Sequence, residues 1–282
     1  MTTGSSWDSF GDWQRNRLDT VQKPVHFVPT MGALHAGHGA LIERARQDAG
    51  GAGEVVVSVF VNPTQFNDPR DLEAYPVTRE SDEALAFLAG ADAVVFPTVS
   101  EMYPAGIPRR VGPADYGPLT VLWEAAHRPG HFDGVVAVVR TLFSLARPTL
   151  AYFGEKDWQQ LAVVRELARR EFPQLTIVPV ATVRESDGLA LSSRNVRLSD
   201  GDRKKATRLH GALMALASSA DSTSSVERLT AALREDGFDV EYLAVVDGTT
   251  LSSQAHPEPG DRAIVAASIG GVRLIDNVPI PQ

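Results

Sequence analysis

Residues 25–46, VHFVPTMGALHAGHGALIERAR, constrain the fold more than any other stretch of this chain. The apolar run Val25 to Val28 reads as a buried parallel strand, and Pro29, Thr30 and Gly32 end it. After His35-Ala36-Gly37-His38, the residues Ala40, Leu41, Ile42 and Ala45 recur at helical spacing. Strand, glycine turn, helix is how a nucleotide-binding α/β unit opens. The turn aims unpaired backbone N–H groups and the positive end of a helix at whatever lies above it. His35 and His38 share one face of the first helical turn and can donate to phosphate oxygens. On its own a His-x-x-His pair also fits plain packing, chance, or half of a metal site.

The remaining chain decides which sheet this unit belongs to. Residues 54–61, EVVVSVFV, 93–96, 150–153 and 176–180 read as further buried strands. Helical patterns over 78–90, 135–146 and 158–172 lie between them, with Ala84, Leu85, Phe87 and Leu88 as the inward face of the first. Residues 119–126 also suggest a helix, and 97–118 form a long Pro- and Gly-rich excursion. This alternation predicts about five parallel strands in a Rossmann-like, doubly wound α/β sheet. Trp7, Phe10 and Trp13 predict a short amphipathic segment packing back on the body. Beyond residue 198 the pattern changes. Helices over 200–219 and 222–235, joined by the Ser-rich linker 218–225, precede three short strands at 240–246, 263–268 and 272–276. That is a smaller, antiparallel α+β domain, so the expected division is 1–186 and 187–282.

The polar clusters follow the strands. Asn62 and Gln65 come after the second, Lys156, Asp157 and Gln160 after the fourth, and Ser192-Ser193-Arg194-Asn195 after the fifth. Loops at the carboxyl edge of a parallel sheet converge on one crevice. A lysine between strand and helix can reach a phosphate, and the aspartate beside it can accept from ribose hydroxyls. Each also has a plain reading, as turn chemistry or as a solvated helix cap. The 282 residues carry 27 basic and 35 acidic side chains, a formal charge of −8, which disfavours general nucleic-acid binding. The absence of cysteine removes disulfides, thiolate metal sites and cysteine nucleophiles. No run of 18 apolar residues or secretory core is visible, so a cytoplasmic chain without a membrane span is expected.

Neither a P-loop nor a dinucleotide fingerprint occurs. The layout of two histidines, a lysine loop and a serine-rich loop is that of the nucleotidyltransferases, which position an acceptor in line and stabilise phosphate charge. The runs VPTMGALHAGH, FVNPTQF, RPGHFDGV, YFGEKDWQQL and TVRESDGLALSSRN, with LSDGDRKKA, VEYLAVVD and RLIDN later, resemble those of the pantothenate synthetase (pantoate–β-alanine ligase) family in order and spacing.

That resemblance implies a ligase. It would join (R)-pantoate to β-alanine at the expense of ATP, through an enzyme-bound pantoyl adenylate, releasing diphosphate and AMP. By the same resemblance His35 and His38 contact the ATP phosphates, Lys156 neutralises them, and Ser192, Ser193 and Arg194 close over them. Asp157 and the Gly154 backbone hold the ribose, with Val183, Leu191 and Met31 also on the ATP side. Gln65 and Gln160 hold pantoate, Met31 packs on its methyl groups, and Asn62 assists. Glu124, Arg128 and His131 fall on the β-alanine side or behind it. Mg2+ rides on ATP with Asp82 holding its waters, bound phosphate favours charged histidines, and the protein is a homodimer with a mobile C-terminal lid. Against the family pattern, Leu191 replaces Met, Gly39 a large apolar residue, Val77 an Arg, and Ala125-Ala126 a glycine turn. Another nucleotidyltransferase, a non-catalytic nucleotide binder and an RNA-binding module are the competing readings. Gln65, Gln160 and Met31 speak against the first, the intact His35, His38 and Lys156 against the second, and the negative charge against the third.

Overall fold

The computed structural model describes residues 4–18, 22–66, 72–73, 75–107 and 115–281. The chain divides into two compact units. One comprises residues 1–115, 128–154 and 163–180; the other comprises 116–127, 155–162 and 181–282.

The first unit is a doubly wound parallel sheet. Its strands are β1 (Ser5–Trp7), β2 (Val25–Thr30), β3 (Glu54–Val59), β4 (Ala93–Val95), β5 (Leu150–Gly154) and β6 (Thr176–Val180), in the order β1-β4-β3-β2-β5-β6. Every pairing is parallel. Because side chains alternate across a strand, β2 serves both faces. Val28 points into a core with Ile42, Ala45, Val57, Val94 and Tyr152. Phe27 meets Phe10 on the other face, at 6.1 Å between ring centroids. Phe10 and Trp13 lie on helix α1 (Phe10–Leu18) and are fully buried, as their spacing predicts. Trp7 instead belongs to β1, a sixth strand at the sheet edge that the sequence reading did not include. The order reverses between β2 and β5, and the crevice outside such a reversal is where open α/β sheets bind ligands.

Helix α2 (Ala36–Ala49) follows β2 and α3 (Arg79–Leu88) precedes β4. On α3 Asp82 and Ala86 are buried and Phe87 packs on the same core as expected, Leu85 is half-buried, and Ala84 and Leu88 are exposed, Leu88 by 89%. That corrects the expected inward set at Ala84 and Leu88, and the helix also turns a carboxylate to the core, for a reason given below. One-turn helices at Val99–Met102 and Glu124–His127 are α4 and α5. The helix expected over 119–126 is thus a 3-10 turn at Gly117–Thr120 followed by α5. Helix α6 (His131–Ala146) starts earlier than its apolar run, at Gly130 in the left-handed region, and α7 (Trp158–Glu171) follows β5.

The second unit packs α8 (Asp200–Ala206), α9 (Arg208–Ala217) and α10 (Ser222–Glu235) on an antiparallel sheet. Its strands are β7 (Asp239–Val246), β8 (Arg262–Ile269) and β9 (Val272–Pro279). Leu209, Leu213 and Leu216 of α9 bury against Val245, Val265 and Leu274. The expected helix over 200–219 is two helices meeting at Thr207. The Ser-rich stretch is only in part a linker, because Asp221 caps α10 through the Thr223 N–H and Ser222–Ser225 form its first turn.

Candidate active site

In the sheet unit, the turn after β2 is built to hold two imidazoles. Gly32 has φ +89° and Ala33 φ +50°, a left-handed bend that costs a residue with a Cβ. Asp82 offsets that cost from α3. Its Oδ1 accepts from the Leu34 N–H at 2.7 Å and from the Thr78 hydroxyl at 3.1 Å, and its Oδ2 accepts from the Ala33 N–H at 3.2 Å. This is why α3 buries a carboxylate.

His35 is the N-cap of α2, and its Nδ1 accepts from the Gly37 N–H at 3.1 Å. Three residues on, the Nδ1 of His38 accepts from the His35 N–H at 3.2 Å. The two rings therefore form a reciprocal capping box, the job usually done by Ser/Thr with Glu/Gln. Their centroids are 4.2 Å apart. A nitrogen that accepts a backbone N–H carries no proton, so this geometry is that of neutral rings protonated on Nε2. Charging either ring requires breaking its cap bond. The proton of each ring is then on Nε2.

After β3, Asn62 caps the Pro63–Gln65 turn. Its Oδ1 accepts from the Tyr103 hydroxyl at 2.6 Å, the Thr64 hydroxyl at 2.9 Å and the Thr64 N–H at 3.2 Å, and its Nδ2 donates to Gly134 O. Asn62 thus shapes the loop that carries Gln65. Gln65 is 8% exposed, and its Oε1 is buried without a hydrogen-bond partner among the described residues. Arg128 Nη1 lies 3.0 Å from His131 Nε2, and His131 Nδ1 lies 3.3 Å from Gln65 O. Arginine can only donate, so His131 accepts on Nε2 and donates from Nδ1 to the Gln65 carbonyl. Arg128 and His131 accordingly stand behind Gln65. Gly134, which the sequence reading passed over, lets α6 approach this loop: a Cβ there would lie 2.4 Å from Thr64 O. Met31 is half-buried beside the left-handed turn, and at Gly154 no described residue lies within 4 Å of where a Cβ would be.

In the other unit, residues 155–157 form a 3-10 turn. Lys156 Nζ lies 3.9 Å from Asp157 Oδ1, and Gln160 is half-buried on the first turn of α7. Val183 O accepts from the Leu191 N–H at 2.9 Å, which closes the loop leading to Ser192, Ser193 and Arg194. Ser192 Oγ accepts from the Arg194 N–H at 3.3 Å. Glu124 belongs to this unit and is engaged with it. Arg273 grips its carboxylate at 2.5 and 2.9 Å, and the Tyr242 hydroxyl donates to it at 2.7 Å. Burial, then the Glu124 charge, pushes the Tyr242 phenol well above its ordinary range. Val77 is 83% exposed, and among the described residues a Cβ on Gly39 would meet only Leu85, at 3.8 Å. Among the described residues no group of three or more His, Asp or Glu gathers as a metal site.

Comparison with known proteins agrees across the chain. The family model described as pantoate–β-alanine ligase matches residues 5–279. A pantothenate synthetase of Thermus thermophilus is 51% identical over 269 residues, covering 94% of this chain and 96% of its own. That of Bdellovibrio bacteriovorus is 46% identical over 271 residues, covering 96% of each. A crystal structure of pantothenate synthetase from Thermus thermophilus superposes with a TM-score of 0.89 at 46% identity, covering 98% of this chain and 99% of that one. A pantoate–β-alanine ligase from Francisella tularensis, solved with β,γ-ATP and β-alanine, gives 0.82 at 32% identity, covering 99% of this chain and 98% of its own. The chain belongs to the pantoate–β-alanine ligase family.

Proposed function

We propose that this ligase works in two steps through an enzyme-bound pantoyl adenylate. A carboxylate oxygen of (R)-pantoate attacks the α-phosphorus of ATP, and the bond to diphosphate breaks. The amine of β-alanine then attacks the acyl carbon, loses a proton, and expels AMP. No side-chain nucleophile is needed, so the work is positioning and charge stabilisation.

The observation that carries this reading is the double-histidine capping box at the N-terminus of α2. It fixes both tautomers and gives two Nε2–H donors at a helix N-terminus, at the carboxyl end of a central strand. In this reading His35 and His38 serve the reacting phosphates, with Lys156, Ser192, Ser193 and Arg194. Gly154, Asp157, Val183, Leu191 and Met31 serve the nucleoside. The buried, unpartnered Oε1 of Gln65 supports a ligand that donates a hydrogen bond, which the pantoate hydroxyl can do. Gln160 and Met31 complete the pantoate contacts, with Asn62 behind Gln65. Glu124, Arg128 and His131 support the loops from which β-alanine is reached. Magnesium enters as the Mg-ATP substrate. Asp82 makes three of the roughly four bonds a carboxylate accepts, which leaves one position for a metal-bound water. A cytoplasmic homodimer with residues 187–282 as a lid domain belongs to the same proposal. No helix among the described residues is long and apolar enough to cross a membrane.

His38→Ala and Lys156→Ala test the phosphate assignment. Each is expected to lower pantoate-dependent adenylation by about 10²-fold, the scale for losing one donor to developing charge. Near-parental rates in both would remove the assigned roles.

A further inference from the structure

The RLIDN run near the end of the chain has no part in the chemistry above, yet Arg273, Asp276 and Asn277 within it are all hydrogen-bonded to other segments of their unit. Its last two residues, Asp276 and Asn277 on β9, are 5% and 4% exposed. Consecutive residues of a strand point to opposite faces, so the two side chains can hold different segments, and they do.

Asn277 Nδ2 donates to two carbonyls, Glu155 O and Lys156 O, both at 2.9 Å. Its Oδ1 accepts from Arg262 Nη1 at 2.5 Å, which fixes the amide orientation and leaves both N–H groups on the turn. Arg262 is itself 6% exposed. It stacks 3.5 Å over the Trp158 ring and donates to the Glu155 carboxylate at 2.6 Å. The 3-10 turn bearing Lys156 and Asp157 is therefore clamped at its backbone by Asn277 and at its flanks by Arg262.

Asp276 faces the other segment. Its carboxylate takes Arg184 in a two-point grip at 2.7 and 2.9 Å. Arg184 also donates to Gly188 O at 3.1 Å and Asn277 O at 3.2 Å. That closes the 184–190 loop, whose far side is the Arg184–Ala190 bridge leading into Ser192-Ser193-Arg194. The Asn277 N–H donates back to Asp276 Oδ1 at 2.7 Å, so the two clamps are joined.

We propose that Asp276 and Asn277 are positioning residues for the adenylation step. Asn277 sets where Lys156 stands, and Asp276, through Arg184, sets where the Ser192–Arg194 loop stands. Neither side chain touches substrate. This rests on the assignment of Lys156 and Arg194 to the ATP phosphates. A misplacement of about 1 Å in such a group costs on the order of 10²-fold, so the clamp belongs to the catalytic machinery rather than to bulk stability.

The test is a double-mutant cycle. Asn277→Asp keeps the shape and the Arg262 contact but replaces the two donors with an acceptor facing two carbonyls. Pantoate-dependent exchange of pyrophosphate into ATP is measured for it alone and on Lys156→Ala, with KM for ATP and for pantoate and the melting temperature of each variant. The expected result is a fall of about 10²-fold in kcat/KM for ATP, a pantoate KM within about twofold of the parent, and a loss under about threefold on Lys156→Ala, because residues acting through one another are non-additive. Asp276→Asn on Arg194→Ala should behave in the same way. An unchanged rate in Asn277→Asp, or the same fold-loss in both backgrounds, overturns the proposal. If Asn277→Asp does not fold, Asn277→Leu removes the same donors without adding charge and carries the same expectation. A full rate in Lys156→Ala alone would instead overturn the phosphate assignment, and the two failures are thereby distinguished.

Discussion

Gln65 and Asp82 show how differently two buried polar side chains can be used. Asp82 is engaged by a turn 48 and 49 residues away in the chain, which it holds in a left-handed bend. No spacing rule reveals such a partner, and the resemblance alone gives Asp82 a different job. Gln65 is the reverse case: its position after a strand was legible, and the structure adds that its Oε1 is left without a partner among the described residues. A buried acceptor in that state costs roughly 1–3 kcal/mol, which a ligand donor can offset. Gln65→Ala should therefore raise the KM for pantoate by about 10-fold or more and leave that for β-alanine nearly unchanged. Equal effects on both would show that Gln65 does not face pantoate. The histidine tautomers were not legible either, because they depend on which backbone N–H each ring accepts.

Two helices of the sheet unit each contain a glycine, and their environments predict opposite outcomes. Gly39 in α2 has room, since a Cβ would make an ordinary contact with Leu85 at 3.8 Å. Gly39→Ala should then stabilise by about 0.5–1 kcal/mol through helix propensity alone, a rise of about 1–4 °C in Tm. Gly134 in α6 has none, because a Cβ would sit 2.4 Å from the Thr64 carbonyl oxygen and 2.8 Å from its carbon. Backbone cannot swing away as a side chain can, so Gly134→Ala should displace the Gln65 loop, lower Tm and weaken pantoate binding. Melting curves of the two variants decide both points, and a lowered Tm for Gly39→Ala would contradict the packing around α2. The elements themselves were largely readable. Long β-branched strands and amphipathic helices announce their period, whereas β1 is three residues, Ser5–Trp7, too short to show one. The break at Thr207 carries no proline or glycine to mark it.

Over the whole molecule, two histidines outside the site tie stability to pH. His26 is buried with its Nδ1 2.7 Å from the Tyr152 hydroxyl, and burial holds its pKa below the ordinary value. His210 is held low first by burial and then by the Arg184 charge. In the unfolded chain both titrate near 6.5. Their contribution is therefore full above that value and is lost as pH falls below it, because only the unfolded state gains the protons. The carboxylates with shifted values move down, Glu166 to about 2 beside Arg169, and do not titrate in this range. Tm should thus fall between pH 7.5 and 5.5, with a shallower fall in His210→Gln. A flat profile in the parent would contradict the burial of His26 and the partial burial of His210.

The central claim is that pantoate is activated on ATP before β-alanine takes part. Isotope exchange of labelled pyrophosphate into ATP, run with each substrate omitted in turn, tests it most directly. The account predicts exchange with pantoate alone, none with β-alanine alone, and AMP release only when both are present. Exchange that ignores pantoate, or that appears only once β-alanine is added, would contradict it.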